Sequence, residues 1–176
     1  MGRFYFASIA VVAFLLTVTA GSALSVGGTS ARCQATTSGA QDDCRLGLFA
    51  QLRGTKEISA SGKRRAGDLD GRGSFAALIH KDQKLCFGIT VTGIGTPVAA
   101  HIHKAKRGRN GPIVVPLVTP SSGDPGASSG CVDANANLLA DIRKHPKRYY
   151  ANVHTSDFPA GAVRGQLFQP KRSQDR

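Results

Sequence analysis

Three histidines are the residues most able to do chemistry in this sequence. His101 and His103 lie one residue apart, and His154 lies far along the chain in YYANVHT. Residues i and i+2 of a β-strand project from the same face, so the first two imidazoles share a face if their segment is a strand. If the strand holding His154 is a neighbour, three imidazoles meet, and that ligand set suits Zn²⁺ or Cu²⁺. The alternative is structural, with the histidines hydrogen-bonded to the backbone and bracing loops at one end of a barrel.

No other part of the sequence has the pattern of a catalytic centre. It contains no Gly-x-Ser-x-Gly, no Walker loop and no His-Glu-x-x-His. The stretch DLDG, residues 68–71, lacks the later ligands and the terminal Glu of a calcium loop, and we interpret it as a β-turn. The sequence therefore predicts no catalytic residues and a protein that is not an enzyme. Metal-dependent redox activity is the one exception left open.

Positive charge is concentrated in clusters along the chain. The formal net charge is +12 over 176 residues, and basic residues cluster at 63–65, 104–109, 143–148 and 171–172. Such charge favours anionic partners, and we expect a polymer or protein at the cell surface. A solvated surface without a dedicated partner is the alternative. Trp is absent and aromatic residues are few, which argues against base stacking and a specific nucleic acid. The residues predicted to bind the anion are Lys104, Lys106, Arg107 and Arg109.

Residues 1–23 have the order of a secretory signal peptide. Arg3 precedes an apolar run from Phe4 to Val18, and the small residues that follow place cleavage near Ala20 or Ala23. The run is shorter than the roughly 20 residues of a membrane span, so we expect no span after cleavage. A retained N-terminal anchor is the alternative. The predicted location is secreted, extracellular or in the cell envelope, which is the periplasm in a Gram-negative cell.

Export changes the interpretation of the four cysteines. An even number of cysteines in a secreted chain indicates disulfides rather than a catalytic thiol, and four cysteines allow three pairings. We favour Cys33–Cys44, which closes a short polar loop, and Cys86–Cys131, which ties two segments of the domain together. The absence of Cys-x-x-Cys makes a structural zinc knuckle unexpected.

Alternation with a period of two dominates residues 46–168. In KLCFGITVTG, apolar residues alternate with small or polar ones, and SFAALIH, YYANVHT and AVRGQLF repeat the pattern. Clusters of Gly, Pro, Asp and Ser separate these runs, so we predict an all-β antiparallel sandwich or barrel. In AVRGQLF, Arg164 lies on the polar face of the strand, where we expect it to pair with Asp157 across the turn.

Three further segments complete the predicted organisation. Residues 24–45 are rich in Gly, Ser, Thr and Gln and predict a flexible polar tether, while residues 169–176 predict a disordered basic tail. The stretch DANANLLADIRKHP has Leu138, Leu139 and Ile142 at helical spacing, so it predicts one short helix. We expect Asp133 to cap the helix and Pro146 to stop it.

Three stretches together resemble the CHRD domain, the repeat first described in chordin and also found singly in secreted bacterial proteins. They are AAHIHKAKRGRNGPIVVPL (99–117), the pair Gly130-Cys131, and YYANVHTSDFPAGAVRGQLF (149–168); GDLDGRGSFAALI and LCFGITVTGI fit the opening strands. The resemblance covers about residues 46–168. It implies an immunoglobulin-like β-barrel or sandwich, an extracellular setting and no established enzymatic activity. One departure is Ala105, where the family usually has Gly.

The combined prediction is a secreted, disulfide-stabilised single CHRD domain. We expect it to be a non-enzymatic binding or structural module for an anionic surface polymer or protein. The alternative is a copper- or zinc-binding protein that uses the three-histidine site.

Overall fold

The computed structural model describes residues 47–80 and 82–170. The predicted signal peptide (1–23), the tether (24–45), residues 171–176 of the tail, and both Cys33 and Cys44 lie outside these described residues. Eight strands, one α-helix and two 3₁₀ turns make up the described chain. They are β1 (Leu48–Arg53), β2 (Arg72–Ile79), β3 (Lys84–Thr92), β4 (Pro97–Lys104), β5 (Ile113–Leu117), β6 (Gly126–Asp133), α1 (Ala136–Lys144), β7 (Tyr149–Thr155) and β8 (Val163–Gln166), with the 3₁₀ turns at Gly54–Lys56 and Pro146–Arg148.

The eight strands form one antiparallel sheet in the order β5-β4-β7-β8-β1-β2-β3-β6. The two edges approach each other, since the hydroxyl of Ser128 in β6 donates to the carbonyl of Val118, just after β5, at 2.6 Å. The sheet therefore curls into a nearly closed barrel. The predicted all-β antiparallel class with one short helix is confirmed, while the more specific immunoglobulin-like arrangement stays a prediction.

The inside of the barrel is the apolar core. Along β3 the side chains predicted to share one face are all buried, and β1, β2, β7 and β8 add alternate residues to the same core. Helix α1 contributes Leu139 and Ile142. The disulfide Cys86–Cys131 joins β3 to β6 from directly opposed positions, which confirms that pairing.

The helix begins later than predicted. Its N-cap is Asn135, whose side-chain oxygen accepts from the backbone N–H groups of Asn137 at 2.9 Å and Leu138 at 3.3 Å. Asp133 is not the cap, because it is still paired with Lys84 in the ladder between β3 and β6 and forms an ion pair with that lysine at 2.7 Å. Within the described residues, no helix has both the length and the apolar character needed to cross a membrane.

Candidate metal centre

The three histidines lie on the outward face of two neighbouring strands. The antiparallel register of β4 and β7 sets His101 opposite Asn152 and His103 opposite Tyr150, and His154 shares their face. One ring nitrogen from each histidine lies within 4.8 Å of those of the other two. The ring centroids are 5.2 to 5.9 Å apart. The structure therefore brings together all three histidines that the sequence singled out.

The outward face of β7 is buried although it lies outside the barrel. Tyr150 and Asn152 are each 2 % exposed, and Arg164 of β8 is 3 % exposed. The segment between β4 and β5 covers them, because Asn110 accepts from Arg164 Nη1 at 2.9 Å and donates to the carbonyl of Ser59 at 2.9 Å. These loops exclude water from Tyr150, Asn152 and Arg164, which we call the outer polar layer.

Backbone carbonyls fix the tautomers of two of the histidines. Nδ1 of His103 lies 2.9 Å from the carbonyl of Gly111, and Nδ1 of His154 lies 3.0 Å from the carbonyl of Pro159. A carbonyl only accepts, so each Nδ1 carries the proton and each Nε2 is left with a free lone pair. Both Nε2 atoms, and Nδ1 of His101, are buried without a hydrogen-bond partner. Such carbonyl contacts are the usual supports of a metal-ligating imidazole.

The surroundings keep the three imidazoles neutral. Burial lowers the pKa of His101, with a further contribution from nearby His154. Burial also lowers the pKa of His103 and of His154, although the carbonyls of Gly111 and Pro159 act in the opposite direction. No carboxylate is among the groups that act on these rings. The neutral form, which is the one that binds metal, therefore dominates at pH 7.

The donor set is imidazole only. Cys86 and Cys131 are bonded to each other, so no thiolate is available from the described cysteines. Nitrogen ligands of this kind suit Zn²⁺ and Cu²⁺. His101 is half-buried as a residue, whereas its Nδ1 is buried. Three protein ligands are the number found in catalytic zinc sites, whose fourth position holds water or substrate.

Of the four residues predicted to bind an anion, one is paired with a carboxylate and three are exposed. Lys104 forms an ion pair with Asp141 at 3.0 Å and lies 5.6 Å from the ring centre of Tyr149. The side chains of Lys106, Arg107 and Arg109 are exposed. None of these three is in an ion pair with another described residue.

Arg164 does not pair with Asp157, contrary to the sequence-based expectation. It lies in β8 opposite Asn152 and points under the covering loop, where Nη2 donates to the carbonyl of Arg109 at 2.7 Å. Its nearest carboxylate is that of Glu57, with Nη1 and Oε2 3.9 Å apart. Sequence reasoning missed Glu57, which lies in a polar loop with no alternation to indicate that it is 1 % exposed.

Sequence reasoning also did not identify Tyr150 and Asn152 as part of the site, although the alternation along β7 indicates which way they face. Their neighbours Tyr149, Ala151 and Val153 alternate with them and enter the core, which assigns the two to the outward face. Tyr150 stacks on His103 with ring centres 4.8 Å apart and planes 7° apart. Alternation with a period of two assigns residues to the outward face of β7, but it does not show which loops bury that face.

A family model described as the CHRD domain matches residues 48–167. No curated protein and no solved structure matches the chain. The matched range begins at the first residue of β1 and ends one residue after β8, so it includes the whole barrel and all three histidines.

Proposed function

The chain belongs to the CHRD domain family, which is not a known family of enzymes, and on that premise we propose that it is a binding module for a divalent transition-metal ion. The ligands are His101, His103 and His154, and the ion is Zn²⁺ or Cu²⁺. One observation carries this proposal: one ring nitrogen from each histidine lies within 4.8 Å of those of the other two, and each ring has a buried nitrogen without a hydrogen-bond partner.

A purely structural role fits these nitrogens less well. An imidazole that only braces a loop needs its hydrogen bonds made, because an unpaired buried polar atom costs about 1–3 kcal/mol. Here two rings use one nitrogen to hold a carbonyl, and the other nitrogen remains unpaired. A bound ion about 2.0–2.1 Å from each nitrogen satisfies all three at once, provided that the rings move closer together when the ion binds.

We predict stoichiometric binding of Zn²⁺ and of Cu²⁺ to the purified, tag-free protein in calorimetric titrations at pH 7.5. The variant His101→Ala/His103→Ala/His154→Ala should show no saturable binding. The affinity should change little between pH 7 and pH 8, because the lowered pKa values of the ligands leave them unprotonated there. It should fall only at pH values below 6.5, where the pH reaches the lowered pKa values of the three histidines and protons compete for the ligand nitrogens.

His80→Ala/His145→Ala is the matched control, since it removes two histidines that are not in the cluster. This control should bind as the wild type does. Far-ultraviolet circular dichroism of the triple variant checks that it is still folded. No binding to the wild type, or equal loss in the control, would assign the three histidines to the scaffold.

A second candidate function is binding to an anionic surface polymer or protein. The observation that favours it is the exposed loop carrying Lys106, Arg107 and Arg109, whose charges are not paired within the described chain. We expect a column of an anionic wall polymer to retain the protein at physiological salt more strongly than a neutral control protein. Retention equal to that of the control would remove this candidate.

Export to an oxidising compartment is part of the same proposal. The Cys86–Cys131 disulfide supports it, because such bonds persist mainly in secreted and periplasmic proteins. The signal-peptide pattern of residues 1–23 supports it independently.

A further inference from the structure

We propose that a second, separate site in the barrel binds a phosphate group, in a pocket between the 3₁₀ turn after β1 and the loop between β4 and β5. This deepens the second candidate function above, because it names a ligand class and a place for the exposed positive charge. It does not depend on metal binding. The pocket has a volume of about 170 Å³, and we call it the basic pocket. Its lining includes Thr55, Lys56, Arg64, Arg107 and Arg164.

The floor of the basic pocket is a fixed guanidinium. Arg164 is 3 % exposed and is held by the side chain of Asn110 at 2.9 Å and the carbonyl of Arg109 at 2.7 Å. Its guanidinium carbon also lies 3.5 Å from the ring centre of Tyr150. A guanidinium held in this way loses little conformational entropy when it meets an oxyanion, and its fork of donors suits phosphate.

The walls of the basic pocket gather positive charge, and the Glu57 carboxyl group near Arg164 does not neutralise it at pH 7, because burial raises the pKa of Glu57 to about 8. Lys56, Arg64 and Arg107 come from three different segments, and none of them is in an ion pair with another described residue. Loss of solvation lowers the pKa of Lys56, and the nearby charges of Arg107 and Arg53 lower it further. Like charges brought together in a partly enclosed space repel one another, and a bound anion relieves that repulsion.

The size and the remaining polar group of the pocket also fit a phosphate. A volume of about 170 Å³ is several times the roughly 30 Å³ share of one water molecule in the liquid, so it admits a small tetrahedral oxyanion with water around it. Thr55 adds a hydroxyl group to the lining. Gly108 has φ +76°, a backbone conformation that favours glycine, so the loop can turn at this rim of the pocket.

The basic pocket and the histidine cluster lie on opposite sides of one aromatic ring. Strand β7 lies between β4 and β8, so His103 and Arg164 approach Tyr150 from opposite sides. The ring of Tyr150 therefore separates a phosphate bound at Arg164 from a metal ion bound by the histidines. The two sites can be tested independently on the same protein.

The test is a calorimetric titration of the chelator-treated, metal-free protein with inorganic phosphate at constant ionic strength. Saturable binding is expected for the wild type and for the triple histidine variant. The variant Arg64→Gln/Arg107→Gln should bind at least tenfold more weakly. The matched control Lys106→Gln/Arg109→Gln removes the same charge from side chains that do not line the pocket and should change the affinity less than twofold.

A second arm uses long-chain polyphosphate and distinguishes a free phosphate from a phosphate group on a polymer. Tighter binding of polyphosphate, again lost on Arg64→Gln/Arg107→Gln, indicates the polymer as the source, whereas equal affinity per phosphate group indicates the free ion. Equal weakening by the two double variants, or no saturable phosphate binding by the wild type, would overturn the proposal. Neither result bears on the metal titration.

Discussion

Replacing Arg164 by methionine should lower the free energy of unfolding by about 1–3 kcal/mol at pH 6, the cost of leaving buried hydrogen-bond acceptors unpaired. Methionine keeps much of the length of the side chain but supplies no donor. The carbonyl of Arg109 and the side-chain oxygen of Asn110 then lose their hydrogen bonds, and Tyr150 loses the cation on its ring. Because Asn110 also bonds to the carbonyl of Ser59, the loss extends to the packing of two loops.

The size of this effect should depend on pH through Glu57. Burial raises the pKa of Glu57 from its usual 4.5 to about 8, although Arg164 acts in the opposite direction. Between these two values the folded protein holds a proton that the unfolded chain has released, so stability falls as the pH rises. Without Arg164 the pKa of Glu57 rises further. The loss on Arg164→Met should therefore be larger at pH 9 than at pH 6.

Urea denaturation of the wild type, Arg164→Met, Glu57→Gln and the double variant at pH 6 and pH 9 measures both effects. The glutamine of Glu57→Gln cannot ionise, so this variant should show a smaller fall in stability between pH 6.5 and pH 8. In the double variant, the loss of stability caused by Arg164→Met should no longer depend on pH. Equal stability of wild type and Arg164→Met at both pH values would show that Arg164 does not hold the outer polar layer together.

The strands and the common face of His101 and His103 could be predicted because each depends on short-range periodicity. Alternation assigned Leu85, Phe87, Ile89 and Val91 to the core side of β3, where the structure has them. The spacing of His101 and His103 fixed their common face. What the sequence left open was whether β7 is the neighbour of β4, and the observed strand order supplies that adjacency.

The outer polar layer could not be predicted, because it depends on loops that meet only in the folded chain. Asn110 and Ser59 come from segments far apart in sequence, and their hydrogen bond helps to close the cover over Arg164. An outward face of a strand ordinarily meets water, so Asp157 was a reasonable partner for an exposed arginine. Once the loops bury Arg164, its partners are instead carbonyl and amide oxygens, an aromatic ring and the carboxyl group of Glu57.

Loss of the Cys86–Cys131 disulfide should lower the free energy of unfolding by about 2–4 kcal/mol. The two cysteines are separated by 45 positions, so the bond lowers the chain entropy of the unfolded state by closing a long loop. It also fastens β6, an edge strand, to its neighbour β3. Urea denaturation of Cys86→Ala/Cys131→Ala measures the loss.

The matched control Cys33→Ala/Cys44→Ala alters cysteines predicted to lie in the tether and should unfold as the wild type does. If the control lost as much stability as Cys86→Ala/Cys131→Ala, the N-terminal segment would contribute to the stability of the barrel, contrary to its prediction as a tether.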